Sequence, residues 1–143
     1  MRVSARAEYG IRALIELAAH YGRGPVHSQD IARRQKLPEP YLHQLMTALR
    51  AAGLVVSKRG PSGGHALSRP PEQIGLREVF AVLEGTTAPW WCVEEDAPDC
   101  EYASDCGLQP VWRAVRGAAE GVLDRLSLAD LRADGVRQPA ARP

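Results

Sequence analysis

The sequence is poor in aromatic residues: one Phe, three Trp and four Tyr make up 6% of its 143 residues. No apolar run approaches the roughly 18 residues that a membrane-spanning helix needs, so no membrane partner is expected. Met1–Gly10 lacks the apolar core of a secretory signal, and a cytoplasmic location is expected. The chain has no Cys-x-x-Cys, no Gly-Lys-Ser/Thr phosphate loop and no acid/base constellation. That argues against an enzyme and against a small-molecule substrate. The glycine-rich run Arg59-Gly60-Pro61-Ser62-Gly63-Gly64 joins two expected strands, not a strand and a helix, so it does not read as a nucleotide cradle. With 45% hydrophobic and 24% charged residues, the composition is that of a globular domain and excludes collagen or a disordered chain.

The net charge of +1 conceals an uneven distribution. Residues 1–69 hold 11 Lys and Arg against 4 acids, whereas residues 70–143 hold 7 against 13. A basic half beside an acidic half suggests a polyanion-binding part and a separate regulatory or pairing part.

Hydrophobic periodicity predicts a first helix over 5–21, capped by Ser4, with Ala7, Ile11, Leu14, Ile15 and Ala18 inward and Glu8, Arg12 and Glu16 on another face. A short helix over 29–35 follows, with Ser28 as its expected N-cap and Ile31 and Ala32 inward. A third helix over 39–52 buries Leu42, Leu45 and Leu49. Gly53 ends it. Residues 54–58 and 66–68 read as strands of a hairpin. A helix over 76–84 precedes a loop at 86–107, and a long helix over 110–126 leads to a short terminal helix beginning at Ser127. The tail 132–143 reads as disordered. His20 and His27 read as surface residues.

Two short helices joined by a tight turn, then a hairpin, make a winged helix-turn-helix. The expected fold is therefore mostly α with a small β wing. It divides into a DNA-binding domain at 1–84 with its wing at 54–69, a cysteine-rich loop at 85–107, and a dimerisation helix with a short terminal helix at 108–131. His43, Gln44 and Thr47 lie off the apolar stripe of the third helix, where such side chains read base edges. Arg33, Arg34, Arg50, Lys58 and Arg59 are the candidates for phosphate contacts, with Arg59 at a glycine-rich tip suited to a narrow minor groove. The expected partner is double-stranded operator DNA. In the long helix, Val111, Val115, Ala118 and Val122 form one apolar stripe, and Trp112, Ala119, Leu123 and Leu126 a second beside it. One chain cannot cover both, which predicts a two-fold homodimer.

All three cysteines, Cys92, Cys100 and Cys106, fall in the loop at 86–107, which also carries six acids and no Lys or Arg. Their C-x7-C-x5-C spacing differs from the closely paired ligands of structural zinc sites and suits thiolates wrapped around an iron–sulfur cluster. A cluster-free thiol switch remains the alternative, and a cluster-carrying redox protein a third reading. Trp90, Trp91 and Tyr102 read as core aromatics, with shielding of such a cluster as the alternative.

Glu8-Tyr9-Gly10-Ile11-Arg12-Ala13-Leu14, Asp30-Ile31-Ala32, Tyr41-Leu42-His43-Gln44-Leu45, Leu49-Arg50-Ala51-Ala52-Gly53-Leu54-Val55 and Arg59-Gly60-Pro61-Ser62-Gly63-Gly64 together resemble a bacterial winged-helix regulator family. Its known members include the iron–sulfur regulator IscR and the nitric-oxide sensor NsrR. The resemblance runs over about residues 1–131, including Glu84-Gly85 and Leu128-Ala129-Asp130-Leu131. It implies a homodimeric transcription regulator, a repressor or an activator, that senses redox, nitric-oxide or iron–sulfur status through a [4Fe-4S] or [2Fe-2S] cluster. In that family some members take the fourth ligand from the partner's first helix. Here Glu8 holds that position, with Arg12 as a neighbouring charge. The chain departs from the pattern at Pro38, Pro40, His43 and His65, positions that bear on the operator and not on the fold.

Overall fold

The computed structural model describes residues 3–95, 97 and 99–131. The expected disordered tail at 132–143 lies outside the described residues. Helix α1 (Ala5–Ala19) begins at Ser4, whose hydroxyl accepts the Ala7 N–H at 3.1 Å. Its buried stripe is Ala7, Gly10, Ala13, Leu14, Leu17 and Ala18, with Ile11 and Ile15 on the flank. The stripe is rotated because α1 is covered on two sides, by the short helices and by α4 (Leu76–Glu84). Gly10 marks the second contact: a Cβ there would stand 2.5 Å from a Leu83 methyl.

Helix α2 (Ser28–Gln35) starts one residue earlier than the sequence suggests, with His27 and not Ser28 at the N-cap. Ser28 is the first helical residue, and its hydroxyl turns to His65. Lys36 closes α2 in the left-handed region at φ 55, its N–H bonded to the Ala32 carbonyl. That sharp exit aims α3 (Glu39–Ala51) across α1 and α2, where Leu42, Leu45, Met46 and Leu49 are buried. Gly53 then lets the chain reverse at φ +75.

Strands β1 (Val55–Lys58) and β2 (Gly64–Leu67) pair antiparallel, with Val55 opposite Leu67 and Ser57 opposite His65. The return strand thus begins at Gly64, earlier than the sequence suggests. Val55 and Leu67 root the wing in the core, while Val56, Ser57 and Lys58 face outward. One core joins α1, α2, α3, α4 and the wing base, and fully buries Leu14, Ile31, Leu42, Leu45, Leu49, Ile74 and Val79.

Helix α5 (Leu108–Leu123) contains no buried residue. Beyond it the chain returns to the core: the Leu76 N–H bonds the Leu126 carbonyl, the Leu128 N–H bonds the Ile74 carbonyl, and Leu128 is fully buried. Asp130 closes this turn back onto Ser127, its carboxylate accepting both the Ser127 N–H and hydroxyl. These bonds hold the Asp130 carboxyl below its usual range. No helix of the described residues is long and apolar enough to cross a membrane.

Candidate DNA interface and cysteine loop

Burial of Leu42, Leu45 and Leu49 forces the opposite side of α3 outward. His43, Gln44, Thr47 and Arg50 are all exposed on it. Thr47 donates its hydroxyl to the His43 carbonyl at 2.9 Å, and His43 lies 3.9 Å from Glu39. Arg50 on α3 and Lys58 and Arg59 on the wing edge line one open groove of about 710 Å³ together with His27, Ser28, Glu39, His43, Ser57 and His65. Two positive elements flanking an open groove present donors to a polyanion from two directions.

The two arginines of α2 behave differently. Arg33 is well exposed and pairs with Asp30 at 2.7 Å. Arg34 turns toward the body, donating to Glu16 at 2.8 Å and lying 2.9 Å from the His20 ring. Glu16 is buried on α1, where it also accepts from Gln35 at 2.8 Å and faces His20 at 3.4 Å. Burial alone would raise this carboxyl, but the bonds from Arg34 and Gln35 and the charges of His20 and Arg34 outweigh it and hold it below the usual range. The sequence places Glu16 on a polar face and His20 at the surface. Instead the two join Arg34 in tying α1 to α2. A single sequence carries no signal for this, because Glu16 continues the i, i+4 series of Glu8 and Arg12.

His65 was visible only as a departure from the family pattern. It is half-buried at the back of the groove, between the hydroxyls of Ser28 and Ser57. Burial first, then the charges of His43 and Arg50, holds it below the ordinary histidine value.

The three cysteines are free, half-buried thiols. Cys92 sits in a 3₁₀ turn at Trp91–Val93. Cys92 and Cys100 line one cavity of about 490 Å³ with Arg113 and Arg116 of α5, and Cys106 is not among its lining residues. Three thiols form a donor set suited to iron–sulfur chemistry. Among the described residues of one chain, however, no three His, Cys, Asp or Glu side chains converge as a metal site. Glu8 is exposed and pairs with Arg12 at 2.6 Å. Trp90, Trp91 and Tyr102 are exposed, so within one chain they form neither the expected core nor a shield.

Arg116 anchors the loop. It donates to the Val93 carbonyl at 2.5 Å, to Glu95 at 3.0 Å and to Glu120 at 2.8 Å. Glu120 also accepts from Thr87 at 2.9 Å and pairs with Arg77 of α4 at 3.2 Å. Arg116 and Thr87 hold the Glu120 carboxyl below its usual range. A continuous polar chain therefore links the residue beside Cys92 to the helix packed on α1.

Residues 3–134 match the Rrf2 family, described as iron-dependent transcriptional regulators. The chain is 37% identical to the HTH-type transcriptional regulator CymR of Bacillus subtilis, over 92% of this chain and 89% of CymR. The solved structure of that protein, described as the global cysteine regulator of its organism, superposes with a TM-score of 0.77 at 38% identity. It covers 94% of this chain and 98% of the other. The structure of T. potens IscR gives a TM-score of 0.74 at 36% identity, over all of this chain and 94% of that one. The winged helix-turn-helix, the exposed polar face of α3 and these similarities agree: the chain belongs to the Rrf2 family of DNA-binding transcriptional regulators.

Proposed function

We propose that the protein acts in the cytoplasm as a homodimer whose operator affinity is set by the chemical state of the Cys92–Cys106 loop. The observation carrying this reading is the bond from Arg116 to the Val93 carbonyl, which ties the cysteine loop to α5 and, through Glu120 and Arg77, to α4. A change at the thiols alters the position of that loop, and the linked helices carry the change to the DNA-binding body. Such a device works only if the two loop states differ in DNA affinity.

Dimerisation is supported by α5. Leu108, Val111 and Val122 are 61%, 50% and 40% exposed and share one side of the helix, and a contiguous apolar strip of this kind marks an interaction surface. The apolar strip continues into a groove of about 690 Å³ lined by Val3, Phe80, Ala119, Val122 and Leu123, and this groove is assigned to the second copy of α5.

In the reading favoured here, Cys92, Cys100 and Cys106 hold an iron–sulfur cluster, with Glu8 of the partner subunit as fourth donor. The cluster supplies a centre that reacts with nitric oxide or oxygen. A second reading is a cluster-free thiol switch. It is supported by Cys92 and Cys100 sharing a cavity that Cys106 does not line. In that case hydrogen peroxide takes two electrons and the two thiol protons from the pair, its O–O bond breaks, the sulfurs join and two waters leave. Anaerobic reconstitution with iron and sulfide separates the two. The cluster reading predicts stoichiometric iron and sulfide, lost in Cys92→Ala, Cys100→Ala and Cys106→Ala, and released faster in Glu8→Ala. Wild-type protein that binds no iron, yet loses two free thiols to peroxide, establishes the switch instead.

The DNA face is assigned to His43, Gln44 and Thr47 for base edges, and to Arg33, Arg50 and Lys58 for phosphates. Arg59 is assigned to the minor groove. Arg34, already committed to Glu16, is assigned a smaller share than the sequence suggests.

A further inference from the structure

The wing is a two-stranded ribbon of four residues per strand, and such a ribbon is at best marginally stable on its own. Beyond its own ladder and the Ser68 bonds at its base, three sets of bonds that meet at residue 65 tie it to the body. The His65 N–H bonds the Val26 carbonyl, and the Val26 N–H bonds the His65 carbonyl, both at 2.8 Å. The segment before α2 thus adds a short third rung to the ribbon. The ring nitrogens complete the set, Nδ1 lying 2.7 Å from the Ser57 hydroxyl on β1 and Nε2 2.9 Å from the Ser28 hydroxyl on α2. Gly64 permits the approach, since a Cβ there would stand 2.4 Å from the Val26 carbonyl oxygen.

We propose that His65 is a positioning residue for DNA binding: it locks the wing to the helix-turn-helix so that Arg59 and Arg50 meet one duplex in fixed relation. This rests on the assignment of Arg59 to a minor groove. Among the described residues, the His65 ring is the side chain that joins α2 to β1 through both of its nitrogens. A neutral imidazole has one donor and one acceptor. A hydroxyl can serve either, so both bonds form in either tautomer. Burial first, then the charges of His43 and Arg50, make the ring harder to protonate than an ordinary histidine. A proton on it would leave both hydroxyls free to accept, but it would add a charge to a groove that already holds His27, His43, Arg50, Lys58 and Arg59 against Glu39, and that repulsion works against the closed arrangement. The lock is therefore expected to loosen as pH falls below the ordinary histidine range.

The test is a double-mutant cycle between Arg59→Ala and His65→Phe. Binding is measured to a duplex selected by wild-type protein from a randomised pool. In the wild-type background Arg59→Ala is expected to weaken binding by about tenfold, and in the His65→Phe background by less than about twofold. His65→Gln, which keeps one donor and one acceptor, is expected to restore most of the Arg59 dependence. Ser28→Ala and Ser57→Ala, each removing one bond and keeping the ring, should fall between, and they carry the test should His65→Phe fail to fold. The Arg59 contribution should shrink from pH 7.5 to 5.5 in wild type and stay flat in His65→Phe. An Arg59→Ala penalty of the same size in every background, at every pH, overturns the lock while leaving the wing assignment standing. A silent Arg59→Ala in wild type overturns the wing assignment and this inference with it.

Discussion

The body formed by α1 to α4 and the wing differs sharply from the segment 86–123. The body buries side chains completely, with Leu14, Ile31, Leu42, Leu45 and Leu49 at 0% exposure. In the later segment Val93 alone among the described residues is buried, and α5 offers its apolar residues to solvent. The first region is stabilised by its own packing. The second is held by polar ties through Arg116 and Glu120 and leaves apolar area uncovered, the pattern of a surface completed by another molecule.

Substitutions should separate the two regions. The largest effect is expected in the body: Leu45→Ala should cost about 2–5 kcal/mol and lower the melting temperature in monomer and dimer alike. Val111→Asp with Val122→Asp on α5 should instead leave helix content nearly unchanged while light scattering shows monomer. Equal loss of fold from both would erase the distinction.

Glu16→Ala should come next, costing about 1–3 kcal/mol because it leaves Arg34 and Gln35 without their shared acceptor. The carboxyl is held below its ordinary value of 4.5, so the folded protein binds this proton less readily than the unfolded chain does. Its contribution is complete above about pH 5 and is lost as pH falls through the folded value. Urea unfolding at pH 7 and pH 3 should show the wild-type advantage over Glu16→Gln shrinking at the lower pH.

Arg116→Ala should change thermal stability modestly while removing the response of DNA affinity to the thiol state, since it cuts the bond to Val93. If the response survives in full, the loop acts on the body by another route. The smallest effect is expected from Arg50→Ala, which should weaken binding similarly on all sequences and reduce the slope of log affinity against log salt by about one.

What the sequence makes legible follows the same division. The stripe Leu42, Leu45 and Leu49 identifies α3 and, by subtraction, its exposed polar face. Gly53 and the glycine-rich tip delimit the wing. These are local signals set by helical spacing and turn chemistry. The rotated stripe of α1 was not readable, because it depends on α4 crossing at Gly10, 73 residues before its contact Leu83. Glu16 and His65 were hidden for the same reason: their partners lie 18 to 19 and 8 to 37 residues away. The cysteine loop shows its donor types in the sequence. Their relative placement is not legible there, because the loop has so little packing of its own to fix it.

The claim at the centre of this account is that the loop state sets DNA affinity. The direct measurement is an anaerobic titration of one labelled operator duplex with reduced, iron–sulfide-reconstituted and peroxide-treated protein, in wild type and in a variant with Cys92, Cys100 and Cys106 all changed to Ala. Wild-type affinity should differ between at least two of the three states by roughly 5- to 150-fold, the usual range of coupling between sites. The variant should bind with one affinity throughout. A wild-type affinity that is the same in all three states would contradict the account.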